Sequence, residues 1–155
     1  MGLFKERSPY FLVSLCVFIF DQLTKYLITV KLTLYEVVPV FSFFNIVSVR
    51  NRGSAFSMFQ SLGNPIFITI TLIALVVIVV LLIKSGKKET LSYALLLGGA
   101  AGNLFDRIIR GSVVDFLDCH IGNYHWPAFN VADSALTIGI FLIILNQLVL
   151  MKKKE

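Results

Sequence analysis

Two aspartates stand where an apolar chain should be reluctant to keep them. Asp115 lies in Val113-Val114-Asp115-Phe116-Leu117-Asp118, and Asp133 closes Phe129-Asn130-Val131-Ala132-Asp133, just ahead of the apolar run Ala135 to Met151. An ionised aspartate at the centre of a membrane-spanning helix costs about 2.5–3.5 kcal/mol, so an acid at such depth marks a functional site by default. Two acids flanking one short loop can meet, share a proton and activate a water, which is the chemistry of an aspartic peptidase. Each also has a structural reading. Asp133, in a first helical turn, suits a cap facing the helix dipole, and Asp118 could replace Asp115 in the pairing.

Further polar groups fall at matching positions. Asp21 and Lys25 are four residues apart on one helix face, in the order that favours an ion pair. They neutralise each other in a membrane and can also shape a site. In Gly98-Gly99-Ala100-Ala101-Gly102-Asn103-Leu104-Phe105-Asp106-Arg107 the small residues let helices approach closely. Asn103 and Arg107 then share a face beside the loop that bears Asp115. Asn51 heads Asn51-Arg52-Gly53-Ser54-Ala55-Phe56. It can cap a short helix through its side-chain oxygen or hydrogen-bond an extended peptide, and both readings stay open. Asn130 and Asp133 point the same way at i,i+3, with Ala132 leaving space nearby.

The elements that must position these groups are membrane elements. The chain has 155 residues, 57% of them hydrophobic, with a mean hydropathy of +0.83, which predicts one integral-membrane domain over 1–155. Ile66 to Ile83 carries no charge and spans roughly 27 Å as a helix, nearly a hydrocarbon core. With three stretches that carry polar interruptions, this predicts a mainly α membrane protein with four transmembrane helices, at about 10–30, 66–84, 91–109 and 129–151. The first is read as a retained helix rather than a signal peptide, since it holds Asp21 and Lys25 and lacks an Ala-x-Ala site. Between helices 1 and 2, residues 31–65 alternate in places and are rich in Val, Ile, Phe and Tyr. They predict a small β-cradle outside the membrane, followed by a short interfacial helix over Arg52–Phe59. Arg110 to Pro127 is read as an outer loop.

The formal charge of +5 is distributed by topology. Lys5 and Arg7, then Lys84, Lys87 and Lys88, then Lys152, Lys153 and Lys154 all fall on one side of a four-span chain. The positive-inside rule makes that side cytoplasmic, with both termini there. Lys31, Arg50, Arg52, Arg107 and Arg110 lie towards the other side, so the bias is moderate. This placement argues against a nucleic-acid partner, and none is expected. Cys16 and Cys119 give neither a metal spacing nor a disulfide framework, and His120 and His125 have no partnered pattern. No metal or cofactor is expected.

These residues resemble the lipoprotein signal peptidases of bacteria, or signal peptidase II. The resemblance rests on five blocks in order: Asp21-Gln22-Leu23-Thr24-Lys25; Asn51 to Phe56; Gly99 to Arg107; Val114-Asp115-Phe116; and Phe129 to Asp133. It implies an aspartic endopeptidase that cleaves prolipoproteins before a diacylglyceryl-modified cysteine, in the bacterial plasma membrane, with its site near the outer face. It implies that Asp115 and Asp133, not Asp118, are the catalytic pair. It assigns Asp21, Lys25, Asn51, Gly53, Asn103, Arg107, Asn130 and Ala132 to shaping the site or holding substrate, and Asp106 to a structural role. The partners implied are the lipidated precursor and membrane lipids, with a monomer sufficient. Two rival classes are a non-enzymatic binder of lipidated peptides and an ion-coupled carrier. A carrier needs polar groups continuing to the cytoplasmic side, where helix 2 and the inner halves of helices 1 and 4 are nearly all apolar.

Overall fold

Helix α1 (Gly2–Lys31) leads into strands β1 (Val37–Phe41) and β2 (Phe44–Asn51). Helices α2 (Asn64–Lys84) and α3 (Lys87–Arg110) follow, then β3 (Val113–Ile121), β4 (Tyr124–His125) and α4 (Val131–Lys152). This computed structural model describes residues 2–53 and 63–152. The short helix expected over Arg52–Phe59 lies almost wholly outside the described residues.

Each helix ends for a local reason. Pro65 enters the first turn of α2, where its missing N–H has no helical partner to lose. Gly111, at φ 72, closes α3 in the left-handed conformation that costs glycine nothing. α1 begins earlier than the apolar stretch suggests because Arg7 finds partners: its buried guanidinium donates to the Ser85 carbonyl and the Thr90 hydroxyl at the α2–α3 turn.

Among the described residues, three helices are long and apolar enough to cross a membrane: Glu6–Lys31, Asn64–Lys84 and Val131–Lys152. α2 is apolar all round and exposes Ile70, Ile73, Val76 and Val77 along one face, as a helix in contact with lipid on that side does. α3 is more polar, yet its 24 residues reach about 36 Å, and it packs against each of the other three helices. Small residues bring it close. A Cβ on Gly99 would sit 2.6 Å from the Ala132 carbonyl oxygen of α4, and one on Gly102 would sit 2.5 Å from Asp21 Oδ2 of α1. The polar content of α3 is therefore turned inward, against its neighbours.

The four strands form one antiparallel sheet in the order β1-β2-β3-β4. Residues 113–121, expected as loop, are its third strand. Val113, Val114, Phe116 and Leu117 favour a strand, but both faces are largely covered, so the polar–apolar alternation that betrays a half-buried strand is missing. The register sets Asp115 opposite Val49, Asn51 opposite Val113 and Asp118 opposite Asn45. The sheet thus joins the expected cradle to the expected loop, and it carries Asp115.

Candidate active site

Asp115 reaches the site from β3 and Asp133 from the first turn of α4. The Asp115 carboxyl is 2% exposed. It accepts hydrogen bonds from Asn51 Nδ2 at 3.0 Å and Asn130 Nδ2 at 2.7 Å. Burial first, and the charge of Asp133 second, push it up to about 7, against the lowering effect of these two donors. Asp133 accepts from Asn103 Nδ2 at 2.8 Å and from the Asn130 backbone N–H at 3.3 Å. Asn130 therefore bonds both acids, one through its side chain and one through its backbone.

Both acids line one cavity of about 850 Å³, together with Asn51, Gly53, Asn103 and Arg107. The Arg107 guanidinium donates to the Gly53 carbonyl at 2.6 Å and lies 4.6 Å from the centroid of the Phe67 ring. Its Nη1 is buried without a hydrogen-bond partner among the described residues. Asn51 turns its oxygen to the Gly53 N–H at 2.9 Å while its amide nitrogen holds Asp115.

The other candidates do not line the cavity. Asp21, Lys25, Asp106, Asn130 and Ala132 are each 0% exposed and form a layer behind it. Lys25 Nζ lies 2.8 Å from Asp21 Oδ2 and 3.1 Å from Asp106 Oδ2, and donates to Asn103 Oδ1 at 2.9 Å. Gln22, whose role sequence reasoning missed, bridges Asp21 and Asp106 through Nε2 at 3.0 and 3.2 Å. Its position within the Asp21 block was the available signal. Also missed was the cavity wall formed by Leu136, Ile138 and Ile140 of α4 and by Trp126, since apolar side chains on a membrane helix carry no distinguishing mark.

Asp118 is engaged elsewhere. It lies three residues from Asp115 on one strand and so on the opposite face, where Asn45 Nδ2 donates to it at 2.8 Å and His125 Nδ1 approaches it at 2.9 Å. Burial would raise it, but these two partners hold it below the usual carboxylate range. His125 thus has a partner that the sequence did not reveal, and its ring also stacks on His120 at 4.7 Å. Among the described residues no group of three or more His, Cys, Asp or Glu is arranged to hold a metal ion.

Chemically, the arrangement offers two carboxyl groups from different elements, held by three asparagines on one cavity beside an apolar wall. The chain is similar to known proteins. The family model of signal peptidase (SPase) II matches residues 13–149. The lipoprotein signal peptidase of Francisella tularensis subsp. novicida (strain U112) is 43% identical over 160 residues, covering 99% of each chain. That of Thermodesulfovibrio yellowstonii is 43% identical over 148 residues, covering 96% of this chain and 97% of its own. A solved bacterial membrane enzyme, determined by the in meso method at 2.3 Å, superposes with a TM-score of 0.88 at 38% identity. That likeness covers 96% of this chain and 92% of the other.

Proposed function

This chain belongs to the signal peptidase II family of membrane peptidases, and we propose that it cleaves prolipoproteins before a diacylglyceryl-modified cysteine, using Asp115 and Asp133 as a two-aspartate acid–base pair. It is a hydrolase, and its family supports prolipoprotein signal peptides as the substrate. The observation that carries the catalytic reading is the convergence of two carboxyl groups, from β3 and α4, on one cavity with Asn130 bonded to both.

Two carboxyl groups that line one cavity and share Asn130 do not both ionise in a low dielectric, so the pair holds one proton, which belongs to the pair and not to one residue. The ionised acid takes a proton from water as the water oxygen attacks the scissile carbonyl carbon. The protonated acid hydrogen-bonds the carbonyl oxygen, stabilises the tetrahedral intermediate, and gives its proton to the leaving amine as the C–N bond breaks. The products are a new carboxyl group on the signal peptide and a free amine on the lipidated cysteine. Arg107 Nη1, a buried donor at the cavity without a partner among the described residues, takes a carbonyl oxygen of the extended substrate. The apolar wall of α4 faces the substrate's acyl chains.

The same reading makes α3 a fourth span. The α2–α3 turn meets α1 near Arg7, and Asn146 of α4 donates to the Lys88 carbonyl at 3.0 Å, so these ends lie together. Asn64 donates to the Arg107 carbonyl at 2.8 Å, which joins the opposite ends of α2 and α3. A chain threaded up and down in this way puts both termini and the lysine clusters on the cytoplasmic side of the bacterial plasma membrane. Asp115, Asp133 and the sheet then lie at the outer face.

The decisive experiment replaces Asp115 and Asp133 separately by Asn in the purified, folded protein and measures cleavage of one defined lipidated peptide. Loss of at least about 10³-fold in kcat is expected for each. Near-normal cleavage by either variant would refute the pair, and equal cleavage of the unlipidated peptide would refute the substrate.

A further inference from the structure

Behind the pair lie two more carboxylates, and one lysine holds both. Asp21 Oδ1 accepts the N–H of Ala132 at 2.9 Å, the residue before Asp133. Asp106 Oδ2 accepts the N–H of Val114 at 3.1 Å, the residue before Asp115. Each acid of the pair is thus preceded in the chain by an amide anchored on a buried carboxylate. Lys25 ion-pairs with both anchors. It also fixes the Asn103 amide: a lysine offers only donors, so Asn103 must give it the oxygen. The Asn103 nitrogen is then left for Asp133.

The charges in this layer have a definite sum. Among the described residues the ionisable side chains gathered about the pair are Asp21 and Lys25 on α1, and Asp106, Arg107 and Arg110 on α3. Arg110 pairs with Asp106, and Arg107 feels the charges of Asp106, Asp115 and Asp133. The nearby turns of α2 contribute none. Arg50 on β2 alternates with Val49 to the other side of the sheet, Arg52 is exposed, and Asp118 faces away with His125. Four carboxylates, Asp21, Asp106, Asp115 and Asp133, therefore meet three cations. One negative charge is left over, and a single proton cancels it. Uncompensated charge is costly in buried surroundings, and Asp21 and Asp106 each lie in direct contact with Lys25 whereas Asp115 and Asp133 are held by neutral asparagines. The proton falls to the pair.

We propose that Lys25 and Asp106 are positioning residues that set the proton count of the Asp115–Asp133 pair, because the buried cluster is electroneutral only when the pair carries one proton. The inference rests on the reading of Asp115 and Asp133 as the reacting acids. It assigns the layer behind the cavity an electrostatic task in addition to its anchoring of both acids.

The test is the pH–rate profile of lipidated-peptide cleavage by the full chain in detergent, for the parent, Asp106→Asn, Lys25→Met and the double variant. A pair that works with one proton gives a bell-shaped profile. Asp106→Asn keeps an oxygen for the Val114 N–H and removes one negative charge, so both limbs of the bell move to lower pH, by about one unit at an effective dielectric near 20. Lys25→Met moves both limbs to higher pH, and the double variant returns them to within about half a unit of the parent. A purely structural role lowers the height of the bell without moving its limbs. Should Lys25→Met fail to fold, Asp106→Asn decides alone: limbs that stay fixed or move upward overturn the proposal. Asp115→Asn run alongside separates the two readings. If it still cleaves, the two-aspartate assignment fails; if it is inactive and the limbs stay fixed, only the charge proposal fails.

Discussion

Asn130 and Asp133 cap each other. Asn130 Oδ1 accepts the Asp133 N–H at 2.9 Å, and Asp133 Oδ2 accepts the Asn130 N–H at 3.3 Å. This is the reciprocal geometry of a capping box at the start of α4, with the free amide of Asn130 extended to Asp115. The helix-cap reading of Asp133 and its placement on the cavity are therefore two uses of one side chain. Asn130→Ala should lose both. A fall in thermal stability of about 1 kcal/mol is expected from the cap, with kcat/KM for the lipidated peptide lowered by at least about tenfold as Asp115 loses its shortest hydrogen bond. Unchanged kcat/KM in a measurably destabilised variant would confine Asn130 to the cap.

Asp115 should be costly to the fold. Unfolded, it ionises near 3.8; folded, burial and Asp133 push its ionisation up to about 7. Between these values the folded state binds more protons than the unfolded one, so stability falls as pH rises through that window and stays reduced above it. Asp115→Asn removes the penalty while leaving an isosteric side chain. The variant should be inactive yet more stable at pH 7.5, on the order of 1–3 kcal/mol, with the gain shrinking towards pH 4. Thermal unfolding of both proteins in detergent across that range checks it, and a variant less stable at every pH would contradict it.

The opposite sign holds at Asp118. Its folded carboxyl is held below the usual range by Asn45 and His125, so its contribution is present above the unfolded value and is lost as pH falls through the folded one. Asp118→Asn should cost roughly 0.5–1.5 kcal/mol at neutral pH and leave most of the cleavage activity. Near-complete loss of activity, with the protein still folded, would make Asp118 the reacting acid in place of Asp115.

Gly99 offers a test that changes no polar side chain. Its added Cβ would meet the Ala132 backbone oxygen at 2.6 Å, whereas one at Gly86 would meet nothing within 4 Å. Gly99→Ala should displace the first turn of α4, costing about 1–3 kcal/mol and lowering kcat through Asp133. Gly86→Ala should be close to neutral in both respects. Equal behaviour of the two would show that α4 can shift without disturbing the site.

The legible part of the fold was the part with uninterrupted patterns. α2 follows from a charge-free run, and α4 from the apolar stretch after Asp133. α3 is a harder case: its polar residues are matched by partners on α1 and α4, and those partners are far away in sequence. β3 escaped notice because Asp115 and Asp118 break an otherwise apolar segment and both of its faces are covered. The same distance in sequence hid the Asp118–His125 contact and the bridge made by Gln22. Among the site residues, Asn51, Asn103, Arg107, Asp115 and Asp133 do line one cavity, while Asp21, Lys25 and Asp106 stand a layer deeper. Side-chain type and spacing marked these residues as a group. Which of them face the cavity and which stand behind it depends on helix rotation and sheet register, set by packing across the whole bundle.

The placement of Asp115 on a sheet and Asp133 on a helix has a consequence for how the molecule matures. The strand bearing Asp115 pairs with β2, built from the chain between the first two helices, while Asp133 awaits the last helix. Neither acid has its full set of asparagines until β2, α3 and α4 have come together. A chain without its last helix therefore holds no assembled site.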